Sequence, residues 1–497
     1  MRSEAAYPSL EVGKPALGLI RKPAPTGSGV ARWWATRSRD GRQTRTPRTE
    51  PAAGPYLSAE SLRGALLWLT GFSGAFVFIE PSPYELVAVI AGLLFLVMGL
   101  SVRPALTPLV LLLVLMNIGY AIAVAPVSDQ SKPLTWVFVS AFLAATAIFY
   151  AAMVGTNTSW RLSLLLRGYV ASALVASLAA FVGYFHLLGG VSDLFILYER
   201  ARGTFNDPNV LGAFLILPVL LLFQRMMAGR RIVPSGLALL IMLAAMFLTF
   251  SRGAWAQLAV AGTVLMTLTF VTSRSPGERL RIMLMAIAGL LAVAVLVTVL
   301  LSVGQVSQLF SERAALEQDY DTGRFGRFGR WDLGADIALE HPFGIGPLQF
   351  WLLFVEDPHN SFLNAFLSGG WLAGFCYLAL AAVTIVMSTR FLFMRTPWQP
   401  IYHAIYAAYV GTIAESAIID IDHWRHYFLI LGLLWGLMAA SSRHAGEAHI
   451  ARLAPSRCRL SGAPGLAGLW GLATAVLRTW PRGRRCCGHR RSVAQPG

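Results

Sequence analysis

Apolar runs of about twenty residues, separated by short polar or glycine-containing breaks, fill most of the chain between residues 64 and 441. At 1.5 Å per residue, a helix of that length spans the hydrocarbon core of a bilayer. The pattern predicts twelve spanning helices, at 64–80, 84–102, 105–125, 134–154, 168–188, 209–225, 232–250, 253–272, 282–303, 365–389, 401–419 and 426–441. Several breaks, such as that between 102 and 105, leave room only for tight helical hairpins. Leu460 to Leu477 is weakly apolar and rich in Gly and Ala, and is not counted as a span.

The longest polar break covers about 304–358, a length at which a loop is usually functional or disordered. Within it Asp332, Asp336 and Glu340 recur at i, i+4 and i+8, while Trp331, Leu333, Ile337 and Leu339 take other faces. That spacing predicts a short helix lying along a membrane surface, ended by His341-Pro342 and followed by a turn at Gly344 and Gly346. A shorter break at about 189–208 ends in Asn206, Asp207 and Pro208, with Asn209 expected to cap the next helix.

Composition supports lipid as the solvent. Hydrophobic residues make up 56% of the 497 positions and charged residues only 13%, with a mean hydropathy of +0.58. A water-soluble fold of this size needs more polar surface. The expected class is all-α: a polytopic integral membrane protein of about twelve helices with one long outer loop carrying a short surface helix.

The net charge of +16 is unevenly placed. Residues 1–63 carry eleven Lys/Arg and five Asp/Glu, and residues 443–497 carry ten Arg and one Glu. The remainder is nearly balanced, with twenty Lys/Arg against nineteen Asp/Glu. The chain is therefore read as a disordered basic arm over 1–60, a membrane domain over 61–442 and a basic tail over 443–497. Such tails keep to the cytoplasmic face and touch anionic lipid. Nothing pairs them with a nucleic-acid-binding fold. The arm has no apolar core of the secretory kind, so the first span is expected to act as the membrane signal. Cys376, Cys458, Cys486 and Cys487 have neither disulfide-framework nor metal spacing.

Placing the arm inside and alternating the spans puts Arg103, Arg161, Arg167, Arg225, Arg230, Arg231, Arg274, Arg279, Arg281, Arg390 and Arg395 at the inner loops, with Glu278 the one acid among them. The outer face then collects Arg200, Arg202, Arg252, Arg324, Arg327, Arg330, His359, Glu415, Asp420, Asp422, His423 and Arg425. Arginines at a membrane boundary take anionic partners, and their fork suits phosphate and carboxylate oxygens.

His359 lies in Asp357-Pro358-His359-Asn360-Ser361, where the long loop meets the tenth apolar run. Asn360 and Ser361 can satisfy the first N–H groups of the helix. An imidazole there can accept a proton from a hydroxyl near neutral pH. The bland alternatives are an interfacial capping histidine, arginines that snorkel to headgroups, and helix-end pairing within the Glu415–His426 cluster. No HxxxH or HxxE spacing suggests a metal. Together the arginines and the single histidine suit a lipid carrier with a diphosphate leaving group, and no metal or other cofactor is expected.

At these residues the chain resembles the O-antigen ligase/polymerase family. The matching pieces are Arg202-Gly203-Thr204-Phe205 with Pro208-Asn209, Ser251-Arg252-Gly253, Arg330-Trp331, Pro342-Phe343-Gly344-Ile345-Gly346, and Pro358-His359-Asn360 with Leu363, Gly370 and Gly374. Three residues separate the last two glycines where the family usually has two, a departure from the strict ligase signature. The resemblance implies a membrane glycosyltransferase in the bacterial inner membrane with a periplasmic site. Its partners would be a polyprenyl-diphosphate-linked glycan donor, a glycan or lipid A-core acceptor, and membrane lipid. His359 matches the general base. Arg202, Arg252 and one of Arg324, Arg327 or Arg330 match the diphosphate-binding arginines, with Arg330 favoured because Trp331 follows it. Asn360 and Glu415 join them as candidate substrate contacts. Polymerase and ligase share these motifs. A multispan transporter of an anion or glycan intermediate is the alternative, although no inverted repeat is visible and the charges gather at one face rather than the midplane.

Overall fold

The structure, a computed structural model, describes residues 59–79, 81–313, 323–354 and 356–453, with side chains through 447. The expected arm, 1–60, and tail, 443–497, lie largely outside those residues. The chain forms two units, 1–444 and 445–497; of the second, residues 445–453 are described and are helical.

The protein is a helical membrane protein. Its described helices are α1 (Ala59–Ser73), α2 (Pro83–Val97), α3 (Thr107–Val124), α4 (Ser131–Met153), α5 (Thr158–Tyr184), α6 (Pro208–Phe214), α7 (Ile216–Met227), α8 (Ile232–Leu248), α9 (Arg252–Thr272), α10 (Pro276–Leu301), α11 (Gly304–Arg313), α12 (Arg327–Glu340), α13 (Gln349–Phe354), α14 (Ser361–Leu392), α15 (Gln399–Glu415) and α16 (Arg425–Leu453). The strands described are β1 (Ile196–Leu197) and β2 (Arg200–Ala201), an antiparallel hairpin too short to be visible in the hydropathy pattern.

Each of the twelve apolar segments coincides with a helix or, at 209–225, with the consecutive α6 and α7. Eight are long and apolar enough to cross a membrane: α3, α4, α5, α6 with α7, α9, α10, α14 and α16. Helices α2 and α8 are apolar but shorter, and α1 and α15 have 15 and 17 residues. Among its described residues the long loop carries three helices, α11, α12 and α13, where one was expected. The expected surface helix is α12. Arg330, Gly334 and Ala338 form its buried stripe, while Asp332, Asp336 and Glu340 stay exposed.

Close helix pairs meet at small residues. Helix α1 runs against α5, where Gly71 abuts the Leu165 carbonyl and Gly168 abuts that of Trp68, so a side chain at either place would displace backbone. Helix α14 runs along α3, and a Cβ on Gly119 would lie 2.7 Å from the Gly369 carbonyl oxygen. Helices α9 and α15 are joined inside by a bond from Gln257 Nε2 to Thr412 Oγ1 of 2.8 Å.

Helix α14 is broken at Gly370, whose φ of 66° and ψ of −168° are not helical. The break interrupts the helical pair Leu367 C=O and Trp371 N–H. Both groups are satisfied by the Pro342–Ile345 segment instead: Ile345 N donates to Leu367 O at 2.8 Å, and Trp371 N donates to Pro342 O at 2.8 Å. The loop after α12 is thereby sewn into the helix that begins beside His359.

Candidate functional site

Asn360 starts α14. Its Oδ1 accepts from Phe362 N at 3.1 Å and Leu363 N at 3.2 Å, the expected cap. Ser361 ties this helix start to the loop after α15: its N donates to Ser416 O at 2.8 Å, its Oγ donates to Ile419 O at 2.9 Å, and Ile421 N donates to the same Oγ at 2.8 Å. On the other side Trp331 Nε1 donates to Pro358 O at 2.8 Å. Between these two anchors His359 adopts φ +50°, a left-handed conformation uncommon outside glycine. Such backbone persists only where its surroundings hold it.

The imidazole lies between two carboxylates. Nδ1 is 3.7 Å from Asp420 Oδ2 and Nε2 is 3.9 Å from Glu356 Oε2, each just beyond direct hydrogen-bond distance. Glu356 Oε2 also accepts from Arg330 Nη2 at 2.7 Å, and Arg330 is only 3% exposed. Burial, together with the positive charges of Arg327 and Arg330, lowers the His359 pKa below 6.5, against the opposing pull of Glu356 and Asp207. The ring is therefore held neutral and able to accept a proton.

The nearby acids shift the other way. Burial, reinforced by Asp422, raises Asp357 to about 6. Asp420 is raised well above the usual carboxylate range by burial and by repulsion from Asp422 and Asp357, against the backbone N–H groups of Asn360 and His359. Asp422 Oδ2 accepts from Asn364 Nδ2 at 3.1 Å and lies 3.6 Å from His423 Nδ1. The arrangement is a neutral imidazole flanked by acids, with a guanidinium-rich helix at one edge.

The segment preceding α6 approaches the same place, since the charge of Asp207 bears on His359. Asp207, not Asn209, caps α6, accepting from Asn209 N at 2.6 Å. Asn209 Oδ1 instead accepts from Arg200 Nη2 at 2.7 Å, and Arg200 Nε donates to Thr249 O at 2.7 Å. Arg200 thus fastens this segment to the turn before Arg252. Arg202 donates through Nε to Leu194 O at 3.2 Å. Arg252 opens α9, and the adjacent Gly253 faces Glu415: a Cβ there would sit 2.9 Å from Glu415 Oε1. Glu415 is 2% exposed, and neither of its carboxylate oxygens has a hydrogen-bond partner among the described residues. In the triplet on and before α12, Arg324 is exposed, Arg327 is half-buried and Arg330 is buried.

Pairing within the Glu415–His426 cluster is only partial. Arg425 pairs outside it, its Nε donating to Glu85 Oε1 of α2 at 2.6 Å. Sequence reasoning passed over Glu356 and gave Asp357 and Asp420 no role at the histidine. Glu356 carried a faint signal, three residues before His359; Asp420 carried none, because 61 positions separate it from the histidine. Replacing Trp331 by Phe should release the Pro358 carbonyl at a cost of about 1 kcal/mol. Faster amide exchange at residues 359–361, followed by mass spectrometry, is the expected sign; unchanged exchange would mean that this bond does not anchor the histidine.

Residues 237–378 match the family model described as O-antigen ligase. The matched stretch includes Arg252, Arg324, Arg327, Arg330, His359 and Asn360, and leaves Arg202 and Glu415 outside. No curated protein matches the chain.

Proposed function

The chain belongs to the O-antigen ligase/polymerase family, and on that premise we propose that it transfers a glycan from a polyprenyl-diphosphate carrier to an acceptor hydroxyl at the periplasmic face of the bacterial inner membrane. The observation that carries this reading is the neutral, loop-anchored His359 inside the family-matched stretch, with Arg327 and Arg330 bearing on it.

In this reading His359 takes the proton of the acceptor hydroxyl as its oxygen attacks the anomeric carbon. A bond forms from that carbon to the acceptor oxygen, the bond to the carrier phosphate breaks, and the polyprenyl diphosphate leaves with the electron pair. Glu356 stabilises the imidazolium that forms, while Asp420, held protonated by its surroundings, sits at the Nδ1 side of the ring. Arg330, buried against Glu356, positions that carboxylate. Arg324 and Arg327 face the departing diphosphate together with Arg202 and Arg252, and supply charge where it develops. Asn360 keeps its amide nitrogen for the glycan while its oxygen caps α14. Glu415 supports the turn at Arg252.

Surface-glycan gels of a deletion strain test this. Loss of long chains with a surviving single-repeat band would assign polymerisation; bare lipid A-core with polymer left on the carrier would assign ligation. A profile unchanged by deletion would remove the proposal and favour transport. The reaction also has an expected pH dependence. Because the His359 pKa is lowered, its neutral form persists below pH 6.5, and transfer should fall only as pH drops further, through the depressed value. Initial rates in detergent between pH 5 and 8 check this; an acid limb centred above 6.5 would contradict a neutral base.

A further inference from the structure

The loop between α15 and α16 carries Asp420 to His359, and a second histidine fastens that loop to α4. His423 Nε2 lies 3.1 Å from Trp136 O. A carbonyl only accepts, so Nε2 carries a hydrogen and donates it. The same ring lies against the Trp136 indole, with centroids 4.0 Å apart and planes at 40°. Tyr120 of α3 meets that indole edge-on at 4.8 Å. The carbonyl settles the state of Nε2, and the indole settles where the ring stands.

Nδ1 then faces Asp422. It is buried, stands 3.6 Å from Asp422 Oδ2, and has no hydrogen-bond partner among the described residues. Asp422 is 7% exposed. Its Oδ2 already accepts from Asn364 Nδ2 at 3.1 Å, and Ser368 Oγ donates to the other end of that amide, Asn364 Oδ1, at 3.0 Å. A neutral His423 would set the bare lone pair of Nδ1 against an oxygen that is itself an acceptor. Two buried acceptors face to face are costly. A hydrogen on Nδ1 turns the same geometry into a charge-assisted pair, with the imidazolium resting on the electron-rich face of Trp136.

We propose that His423 and Asp422 form an imidazolium–carboxylate pair that pins the loop over 420–423 to α4 and sets a fixed positive charge beside the acids around His359. His423 is in that case a positioning residue for transfer; this role rests on the function proposed above, whereas the pair itself does not. The groups facing the pair are Asn364 and Tyr377 of α14, Tyr120 of α3, Trp136 of α4, and the acids Asp357 and Asp420, which feel the charge of Asp422. Arg425, two residues on, bonds Glu85 of α2. Taking away the positive charge of His423 favours the charged form of His359, so the acid limb of transfer should move to higher pH.

The test uses the full chain in detergent as wild type, His423→Gln and His423→Arg. With nitrogen-15 histidine, the difference between wild-type and His423→Gln magnetic resonance spectra isolates the His423 ring. Both of its nitrogens should be protonated at pH 7.5; a bare Nδ1 overturns the pair. The second arm follows initial transfer rates between pH 5 and 8. Glutamine keeps a donor for the Trp136 carbonyl but loses the charge, so His423→Gln should move the acid limb up by about half a pH unit. His423→Arg, which restores a charge, should bring it most of the way back. A limb that stays in place while only the plateau falls makes His423 structural and overturns its positioning role. If wild type shows no transfer at any pH, the proposed function and the positioning role fall with it, and the nitrogen spectra still decide the pair. Should His423→Gln not fold, His423→Asn takes its place in both arms.

Discussion

Replacing His359 by alanine should lower glycan transfer by about 10²- to 10⁴-fold, the usual contribution of a general base, with the protein still present in the membrane at its normal level. The reasoning is local. The imidazole is half-buried, and its carboxylate neighbours stand at 3.7 Å and 3.9 Å, so truncation breaks no close hydrogen bond to them. The anchors of the loop belong to other residues: Trp331 on Pro358, the Asn360 cap, and Ser361 on the segment after α15. Alanine, like histidine, carries a Cβ, so the left-handed backbone there costs it little more than it costs the native residue. Activity should therefore collapse while stability barely moves. Transfer assayed in vitro beside a melting curve separates the two. Activity within a few-fold of wild type would remove His359 as the base, whatever the family match implies.

The largest effect on folding is expected at Gly370. With φ at 66° and ψ at −168° it occupies a region essentially closed to side chains, at a cost of about 1–3 kcal/mol for any other residue. Space is closed as well. A Cβ at Gly370 would fall on the Pro342 carbonyl oxygen and 2.6 Å from Phe343 C, and these are backbone atoms that cannot swing away. Gly344 is its counterpart, with φ +80° and a Cβ position 2.6 Å from Gly370 N. Gly370→Ala should therefore destabilise by about 3 kcal/mol or more. It should also loosen the Leu367 and Trp371 bonds that join the 342–345 segment to α14. Gly262→Ala is the contrast: nothing lies within 4 Å of a Cβ there, and alanine suits a helix better. Melting temperatures of the two variants in one detergent compare them. Equal values would mean that the break in α14 is not needed.

The two glycines and their partners show how far sequence could go. Pro342-Phe343-Gly344-Ile345-Gly346 and the pair Gly370 and Gly374 stood out as resemblances, but nothing in the one-dimensional pattern joined them. The hydropathy of 365–389 reads as one continuous helix, because a break filled by another segment's backbone leaves no trace in side-chain polarity. Likewise the sequence favours Arg330 among three basic residues as a diphosphate contact, on the strength of Trp331 alone. Only its place at the head of the buried stripe Arg330, Gly334 and Ala338 turns it inward toward Glu356, leaving Arg324 exposed and Arg327 half-buried. The capping role of Asn360 was legible because a cap involves neighbours two and three residues away. The identity of the α6 cap was not, because Asn209 was drawn off by Arg200, whose other anchor is Thr249.

By itself the sequence determined that the chain is helical and lives in a membrane, since the length and purity of its apolar runs admit little else. It also determined which helix begins at His359 and which loops carry its arginines. Tertiary structure decided the rest: which acids flank the histidine, which arginine of the α12 triplet is buried, and where α14 breaks. These depend on side chains separated by tens to hundreds of positions, brought together by helices packing at glycines. Hydrophobic periodicity tells which segments enter the membrane. The close, specific approach of their backbones tells which polar groups then share one low-dielectric space, where their mutual charges alter what each can do.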